Sequence, residues 1–288
     1  MVECNTLYVN NCSDLQNMQT GDASVVYLLN QTIDCTSFRF TPVGNQFSNF
    51  QGKIDGQGFS INNLTINANN SNYAGLFGYG NGTKAGNITF KNVQVSSNAS
   101  YVAALFGYCQ NCQITNITLS TTNNSMINNI SGRCCVGGVC GEMYQGSLTS
   151  CVVENTMVGV YSVTNSAGDV LGYGTSLILQ RCFNLGILSD ANQVIVIGLS
   201  DIGGVCGYCF RTNTTQCGTH QGKIFGSGQE IGGVFGRYED FYGGSEFYTH
   251  ENVSVLGPYS VGGVFGDYLL PLKTYLFLNY FFSRSSCS

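Results

Sequence analysis

IGGVFG, at Ile231 to Gly236, reappears nearly unchanged as VGGVFG at Val261 to Gly266. Five further variants of this hexapeptide lie upstream, and all seven end in a glycine. They are YAGLFG ending at Gly78, VAALFG at Gly107, VGGVCG at Gly141, AGDVLG at Gly172, IGGVCG at Gly207, IGGVFG at Gly236 and VGGVFG at Gly266. The closing glycines are 29, 34, 31, 35, 29 and 30 residues apart. A period of this length indicates a solenoid, a propeller or another repeat array.

The segments between the hexapeptides have the alternating, β-branched pattern of short strands. Examples are ITFKNVQV, ITNITL and LTSCVV, at 88–95, 114–119 and 148–153. Coils of such strands, stacked about 4.8 Å apart, would bury equivalent side chains in a shared core. The chain is therefore predicted to be an all-β parallel solenoid, or β-helix, of roughly nine coils. A short helix at Asp14 to Met18, capped by Ser13, is expected to close its N-terminal end.

The large residue before each closing glycine is expected to point inward and to stack on its equivalents in the neighbouring coils. These residues are Phe77, Phe106, Cys140, Leu171, Cys206, Phe235 and Phe265. Paired glycines such as Gly232 and Gly233 are expected to allow a bend or a positive φ and to leave space for the next coil. Asp169 replaces the second glycine of the fourth copy, so an irregular coil is predicted there.

A second column supports this register. Cys151, Cys182 and Cys217 each lie ten residues after a closing glycine, in three consecutive coils. The preceding strands assign Val93 and Ile117 to the same column. Two interpretations stay open for the cysteines: buried thiols that act as small core hydrophobes, or a disulfide between Cys151 and Cys182.

Composition excludes several classes of function. Charged residues form only 9% of the 288-residue chain, against roughly 25% in an ordinary soluble domain, while 43% of the chain is apolar. The net charge of −5 and the lack of a basic run exclude a nucleic-acid partner. No apolar stretch reaches the about 20 residues of a membrane span, because the best one, at 269–282, contains Pro271 and Lys273.

The asparagine-rich surface carries twelve N-x-S/T triplets, and fourteen cysteines accompany them. Both features indicate a product of the secretory pathway, at the cell surface or outside the cell, where thiols oxidise and sequons receive glycans. The start of the chain lacks the pattern of a signal peptide, which favours a mature or partial product. The predicted glycosylation sites are Asn11, Asn30, Asn63, Asn69, Asn81, Asn87, Asn98, Asn116, Asn123, Asn129, Asn213 and Asn252.

Two C-x-x-C pairs, CQNC from Cys109 and CGYC from Cys206, have the spacing of redox or zinc sites. Neither has the surrounding pattern that such a site needs, so local disulfides, or pairs between neighbouring corners, are favoured. Adjacent Cys134 and Cys135 are expected to bond elsewhere, with Cys109, Cys112 or Cys140 in range. The predicted disulfide cysteines are Cys4, Cys12, Cys35, Cys109, Cys112, Cys134, Cys135, Cys140, Cys206 and Cys209. Cys4, Cys12 and Cys35 leave one odd thiol near the N-terminus.

The segment LLNQTIDCTSFRFTPVGNQFSNFQGKIDGQGFSINNLTI, at 28–66, followed by YAGLFG, resembles GLUG-motif repeat proteins. The matching residues are Ile33, Asp34, Pro42, Val43, Gly44, Phe50, Gly52, Ile54, Asp55, Gly56, Gly58, Ile61, Leu64 and Ile66. The resemblance implies a right-handed β-helix on an extracellular protein of the adhesin-like, stalk-forming kind. Some relatives carry a zinc protease domain, but this sequence has no HExxH motif and only two histidines.

No residue pattern predicts an enzyme, a metal site or a cofactor. Asp55 is the most tempting catalytic carboxylate, but it stands in IDGQG, where an Asp-Gly turn accounts for it. An acidic cluster in the sixth coil offers a weak calcium site, for which a solvated loop is the simpler interpretation. Its members are Glu239, Asp240, Glu246 and Glu251.

Tyrosines recur one to three residues after the closing glycines. They are Tyr79, Tyr108, Tyr144, Tyr173, Tyr208, Tyr238 and Tyr268. A surface ladder of tyrosines that stabilises the register is favoured over a row that grips sugar rings.

The sequence divides into an N-terminal cap at 1–50, the repeats at 51–268 and an apolar tail at 269–288. The tail is expected to cover the last coil or to add a strand to another subunit. We therefore expect a non-enzymatic extracellular glycoprotein that associates end to end as a stalk, filament or adhesive surface. A carbohydrate-binding or polysaccharide-cleaving β-helix is the alternative.

Overall fold

The computed structural model describes residues 5–66, 68, 71–98, 100–123, 126–160, 166–186, 194–240 and 243–269. Almost every regular element in these residues is a β-strand, and the one helix, α1, spans Cys12–Gln16. Cys4, Asn69 and the predicted tail at 270–288 lie outside the described residues.

Thirty strands make up the rest of the regular structure. They are β1 Asn5–Val9, β2 Val25–Leu29, β3 Ile33–Asp34, β4 Arg39–Phe40, β5 Lys53–Asp55, β6 Ser60–Asn62, β7 Thr65–Ile66, β8 Tyr73–Ala74, β9 Phe77–Asn81, β10 Lys84–Lys91, β11 Gln94–Ser96, β12 Tyr101–Val102, β13 Phe106–Ser120, β14 Asn128–Gly132, β15 Cys135–Gly137, β16 Cys140–Thr149, β17 Val152–Glu154, β18 Thr156–Val160, β19 Ala167–Gly168, β20 Leu171–Gln180, β21 Phe183–Gly186, β22 Val194–Gly198, β23 Ile202–Gly203, β24 Cys206–Phe210, β25 Asn213–Gly226, β26 Ile231–Gly232, β27 Phe235–Glu239, β28 Gly244–Leu256, β29 Val261–Gly262 and β30 Phe265–Leu269.

The strands form a parallel β-solenoid, as the repeat predicts. In one ladder, eight parallel pairings join β1, β2, β5, β10, β13, β16, β20, β25 and β28 in chain order. The short strand at the start of each hexapeptide belongs to a separate seven-stranded sheet, β8 to β29. The solenoid therefore has about seven full turns, fewer than the roughly nine coils expected, because the first two layers of the ladder lack this corner strand.

The core stack has the register that the repeat predicts. Parallel pairing aligns Phe77 with Phe106 and then, layer by layer, Cys140, Leu171, Cys206, Phe235 and Phe265. The Phe77 and Phe106 rings stack with centroids 4.9 Å apart, and the Phe235 and Phe265 rings with centroids 5.4 Å apart. All members are fully buried except Phe265, which lies in the last described layer and is partly exposed.

The paired glycines are required by space. A Cβ atom on Gly233 would collide with the carbonyl oxygen of Gly263 in the next coil, and one on Gly232 with the carbonyl oxygen of Phe235. Neither glycine has a positive φ, so the expected use of left-handed backbone at these two positions is wrong. A side chain at either position would push the neighbouring backbone away.

The cysteine column is also real, with one correction. Ile88, Ile117, Cys151 and Cys182 lie over one another on the strand register, followed by Cys217. Val93 lies instead on the next face, where its backbone N–H donates to the side chain of Asn128 at 2.8 Å. The three cysteines are fully buried thiols, so the alternative of a Cys151–Cys182 disulfide is excluded.

Asparagines turn the corners between faces. Asn63, Asn87 and Asn116 have positive φ values of 57°, 56° and 53°, a backbone conformation that asparagine tolerates better than most residues. Their side chains also form ladders between coils: Asn116 donates to Asn87 at 3.0 Å, and Asn87 donates to the carboxylate of Asp55 at 3.1 Å. Much of the asparagine content is therefore a requirement of the coil geometry.

The Asp169 substitution leaves the main register intact. Its carbonyl oxygen accepts from the backbone N–H of Gly138 at 2.9 Å, and the core stack continues through Leu171. The expected irregularity takes the form of register shifts where β21 pairs with β17 and where β22 pairs with β25. The Asp169 carboxyl is fully buried and has no hydrogen-bond partner within the described chain, and burial raises its pKa well above the ordinary value.

Helix α1 fastens the first layers. Its cap is Asn11, whose side chain accepts from the backbone N–H of Asp14 at 3.0 Å, so the predicted cap at Ser13 and the range 14–18 are wrong. The helix buries Cys12 and Leu15, and a Cys12–Cys35 disulfide ties it to the following turn.

Truncation of one layer of the core stack should destabilise the solenoid locally. We expect Phe106→Ala to reduce the free energy of unfolding by about 3–5 kcal/mol, because a fully buried ring between two stacked neighbours is removed. Chemical denaturation followed by circular dichroism measures the change. Phe47→Ala removes the same atoms from a ring that is 89% exposed and should change the free energy by less than about 0.5 kcal/mol. Equal effects of the two substitutions would contradict the buried stack.

Candidate functional site

Both C-x-x-C pairs are disulfides within a single strand segment, as favoured from the sequence. Cys109 and Cys112 face the core together because Asn111 between them has a positive φ of 54°. Cys206 and Cys209 are bonded in the equivalent part of a later coil. All four cysteines are fully buried, so these disulfides are structural. Cys109 and Cys112 are therefore not available as partners for Cys134 or Cys135.

Cys134, Cys135 and Cys140 are not bonded to the cysteines expected from the sequence. Cys140 belongs to the buried core stack, where its Sγ donates to the carbonyl oxygen of Glu142 at 3.1 Å. The Sγ atoms of Cys134 and Cys135 lie 3.4 Å from each other, and Cys135 also donates to the Glu142 carboxylate at 3.6 Å.

The acidic residues of the sixth coil do not converge. Glu239 pairs with Arg237, and Asp240 pairs with Arg211 at 2.8 Å. Glu246 has a positive φ of 62° and an exposed side chain, while the side chain of Glu251 lies outside the described part of the chain. The described residues contain no group of three or more metal-ligating side chains. The weak calcium hypothesis therefore loses its ligand set.

Asp55 is engaged in a turn, as its sequence context predicts. Its carboxylate accepts from the backbone N–H of Gln57 at 2.8 Å and from the side chain of Asn87. It lines a shallow, open depression with Lys53 and Lys84. Both of these hydrogen bonds are structural, so the geometry gives no reason to assign Asp55 a catalytic role.

The seven predicted tyrosines do not form one ladder. Tyr79, Tyr108, Tyr173 and Tyr208 share an outward column, but Glu142 stands between the second and the third of them. Tyr238 and Tyr268 pair with each other in the column of Cys209, and Tyr238 is fully buried. Tyr144 occupies a third column and is 39% exposed.

A strip along one corner of the solenoid brings together nine side chains whose pKa values are shifted. We call it the corner strip, and it consists of two facing columns. The first is Tyr73, Tyr101, Cys135, Ser166, Asp201, Glu230 and Ser260, and the second is Tyr79, Tyr108, Glu142, Tyr173, Tyr208, Arg237 and Asp267.

The N-terminal part of the corner strip is aromatic. Tyr73 and Tyr101 stack with centroids 5.3 Å apart, Tyr79 and Tyr108 lie 4.6 Å apart, and Tyr101 meets Tyr108 edge to face at 5.8 Å. Burial, with the nearby Glu142 carboxyl, raises the pKa of Tyr101 to about 12. The phenol of Tyr101 therefore stays neutral, and the four rings present flat, partly exposed faces.

The C-terminal part of the corner strip is an acid–arginine cluster. Arg237 lies 3.7 Å from Glu230 and 5.1 Å above the ring of Tyr208, whose hydroxyl donates to Glu239 at 2.9 Å. Asp201 differs from the other acidic groups of this cluster, because burial and a hydrogen bond with Glu230 raise the pKa of its carboxyl to about 8. The Asp201 carboxyl therefore keeps its proton at neutral pH.

The second column was recognisable from the sequence. Each member of this column is the residue immediately after a closing glycine. This holds for Glu142, Arg237 and Asp267 as well as for the tyrosines. The first column mostly precedes the hexapeptide, which places Tyr101, Cys135 and Asp201 opposite it. Sequence reasoning missed these residues because it grouped tyrosines by type and not by position.

The sequons differ in their surroundings. Asn98, Asn123, Asn213 and Asn252 are exposed, and Asn30 is exposed with its amide 3.2 Å from Asn10. Asn11, Asn87 and Asn116 are exposed as well, whereas Asn63, Asn81 and Asn129 are partly buried. Glycosylation at each position stays a prediction.

No helix within the described ranges combines the length and the apolar character that a membrane crossing would need.

No protein-family model matches the chain, and no curated protein sequence matches it. Its fold is similar to the crystal structure of a protein described as a "putative immunoglobulin A1 protease" from Bacteroides ovatus. The TM-score is 0.64 at 16% identity, over 92% of this chain and 83% of the other. This likeness supports the β-solenoid fold alone, and the resemblance to GLUG-motif repeat proteins stays a prediction.

The proton that the folded chain keeps on Asp201 should make stability depend on pH. The pKa of its carboxyl is about 8 when folded, against 3.8 ordinarily, so the unfolded chain loses the proton first as pH rises. The stabilising contribution is complete below about pH 4 and is lost progressively up to about pH 8. We expect Asp201→Asn to raise the free energy of unfolding by about 2 kcal/mol at alkaline pH and by little at pH 4.

Thermal melts at several pH values measure this difference. Asp240→Asn removes the same charge from the surface pair with Arg211 and serves as the control. A stabilisation by Asp201→Asn that is independent of pH, or one that Asp240→Asn reproduces, would show that Asp201 does not hold this proton.

Proposed function

We propose that this protein is a non-enzymatic, extracellular structural glycoprotein, a β-solenoid stalk or filament subunit. The observation that carries the proposal is the main-chain ladder that runs through nine layers from Asn5 to the last coil. Each layer is joined to the next by many backbone hydrogen bonds and by an apolar core. A rod of this kind is suited to act as a stalk or to assemble with other copies into a filament.

The last described layer supports end-to-end contact. Phe235 is fully buried, whereas Phe265 in the same column is partly exposed, and Val261 is 43% exposed. Within the described ranges, β29 pairs only with β26, so its other edge is unpaired. An open edge with exposed apolar side chains is a template for strand addition by a second copy.

The secretory setting is supported by covalent chemistry. The described residues contain three disulfides. Disulfides persist in oxidising compartments and are rare in the cytosol. Exposed sequons such as Asn98, Asn213 and Asn252 would carry glycans that keep a surface of low charge hydrated. We therefore place the protein at the cell surface or in an extracellular assembly.

A charge on the open edge should prevent assembly. We expect the full-length wild-type chain to form larger species as its concentration rises, and Val261→Lys to shift it toward the monomer, because lysine on an edge strand opposes pairing. Sedimentation velocity, with electron microscopy of the same samples, measures the change.

Ile178→Lys is the matched control, because Ile178 is also exposed, at 48%, but lies on the side of the rod. It should assemble as the wild type does. A wild-type chain that stays monomeric throughout the concentration series would refute the filament, and equal loss of assembly in both variants would refute contact through the end.

The aromatic part of the corner strip favours carbohydrate binding as the second candidate function. Tyr73, Tyr79, Tyr101 and Tyr108 form a packed cluster with partly exposed ring faces. Flat aromatic faces are suited to the apolar faces of sugar rings.

A glycan array and a polysaccharide depolymerisation assay test this candidate. Tyr101→Ala should abolish a wild-type signal on the array, whereas Tyr259→Ala, which removes a tyrosine that is 67% exposed near the end of the rod, should leave it unchanged. If the wild type responds in neither assay, the carbohydrate function is eliminated.

A further inference from the structure

The middle of the corner strip holds two adjacent cysteines at close range. Cys134 lies in the bend before β15 and Cys135 is the first residue of that strand. Their Sγ atoms are 3.4 Å apart. Two sulfur atoms at this distance are in van der Waals contact. The Cα atoms of adjacent residues are about 3.8 Å apart, below the usual range of about 4.4–6.8 Å, so a disulfide between them would be strained and readily reduced again.

A carboxyl group and three tyrosines surround the pair. Cys135 donates to the Glu142 carboxylate at 3.6 Å. Tyr101 lies directly below Cys135 on the strand register, while Tyr108 and Tyr173 lie below and above Glu142. The two thiols thus lie among aromatic side chains and next to a proton acceptor, the Glu142 carboxylate.

Accessibility separates this pair from the other cysteines. Cys134 is half-buried, whereas Cys135 next to it is 6% exposed. Cys140, Cys151, Cys182 and Cys217 are fully buried. The remaining described cysteines are joined in three disulfides. Within the described ranges, Cys134 and Cys135 are therefore the thiols placed to react with an external partner.

We propose that Cys134 and Cys135 form a redox-active dithiol that exchanges with small disulfide compounds, with Cys134 as the attacking thiol and Cys135 as the resolving thiol. This activity goes beyond the proposed structural function and does not depend on it. Its product is a vicinal disulfide in the corner strip.

The exchange proceeds in two balanced steps. The Cys134 thiolate attacks one sulfur of a disulfide RS–SR, so a Cys134–SR bond forms, the S–S bond breaks and RS⁻ leaves and takes a proton from water. Cys135 then gives its proton to the Glu142 carboxylate and attacks the Cys134 sulfur, which expels the second RS⁻. That thiolate takes up the proton from Glu142. The protein dithiol is oxidised by two electrons, and the small disulfide is reduced to two RSH.

The electrostatics assign the two roles. With Cys134 ionised, the one S–H of Cys135 lies between the Cys134 sulfur at 3.4 Å and the Glu142 carboxylate at 3.6 Å. Its contact with Cys135 lowers the pKa of Cys134 to about 7, so a large share of Cys134 is thiolate at neutral pH. The contact with Cys134, together with burial, raises the pKa of Cys135 well above the ordinary value. Cys134 is therefore the half-buried, ionised thiol of the pair, while Cys135 needs the proton acceptor beside it.

Mass mapping of the native full-length protein tests the proposal. After incubation with oxidised glutathione, acid quenching and alkylation with N-ethylmaleimide, the wild-type peptide containing both cysteines should lose two hydrogens and carry no alkyl group. Cys135→Ala should stop at the first step and accumulate one glutathione on Cys134. Glu142→Gln should slow the second step and leave the first unchanged. Cys134→Ser should form no adduct.

The pH dependence of alkylation supplies a readout that structural damage does not mimic. In the wild type, the alkylation rate at Cys134 should reach half its maximum near pH 7, and in Cys135→Ala the midpoint should rise by about one unit or more toward an ordinary thiol. Two results with the wild type alone overturn the proposal. In the first, each of the two cysteines still carries one alkyl group after the treatment, and in the second, either of them is bonded to a third cysteine. An unchanged midpoint in folded Cys135→Ala also overturns the assigned roles.

Discussion

The parallel main-chain register between residues about thirty apart is the constraint on which the rest of the structure depends. A coil of this size cannot bury a core alone, because its inner side chains have neighbours only in the coils above and below. The register places Phe77 under Phe106 and Phe235 under Phe265. It also determines which positions must be glycine, because a residue such as Gly233 lies against the backbone of the next coil.

The same register builds the corner strip. Side chains repeat along the rod in outward columns, so phenols, thiols and carboxyl groups from distant parts of the sequence become neighbours in adjacent layers. Partial burial at the corner then shifts their pKa values: Tyr101 stays neutral, and the Asp201 carboxyl holds its proton to about pH 8. The solenoid thereby presents a surface with distinct chemistry in its aromatic, thiol and acidic parts.

The spacing of the closing glycines predicted the fold, because each of them marks the same point in a coil. The same spacing predicted the core stack, whose members directly precede these glycines. Tyrosines were harder to place because side chains alternate across a strand with period two. Tyr208, one residue after its glycine, points outward, and Tyr238, two residues after, points inward. Val93 was misplaced because a corner at Asn92, with a φ of 56°, begins a new face before it. The raised pKa of Asp201 depends on burial and on its contact with Glu230 in the next coil, which no local pattern encodes.

Distances between spin labels along one outward column test the stacked register most directly. Thr6, Lys84 and Asn213 lie in a single column, with four ladder steps from Lys84 to Asn213 and seven from Thr6 to Asn213. At about 4.8 Å per step, electron paramagnetic resonance on genetically encoded labels should give backbone separations of about 19 Å and about 34 Å. Separations that do not grow with the number of layers would contradict the solenoid.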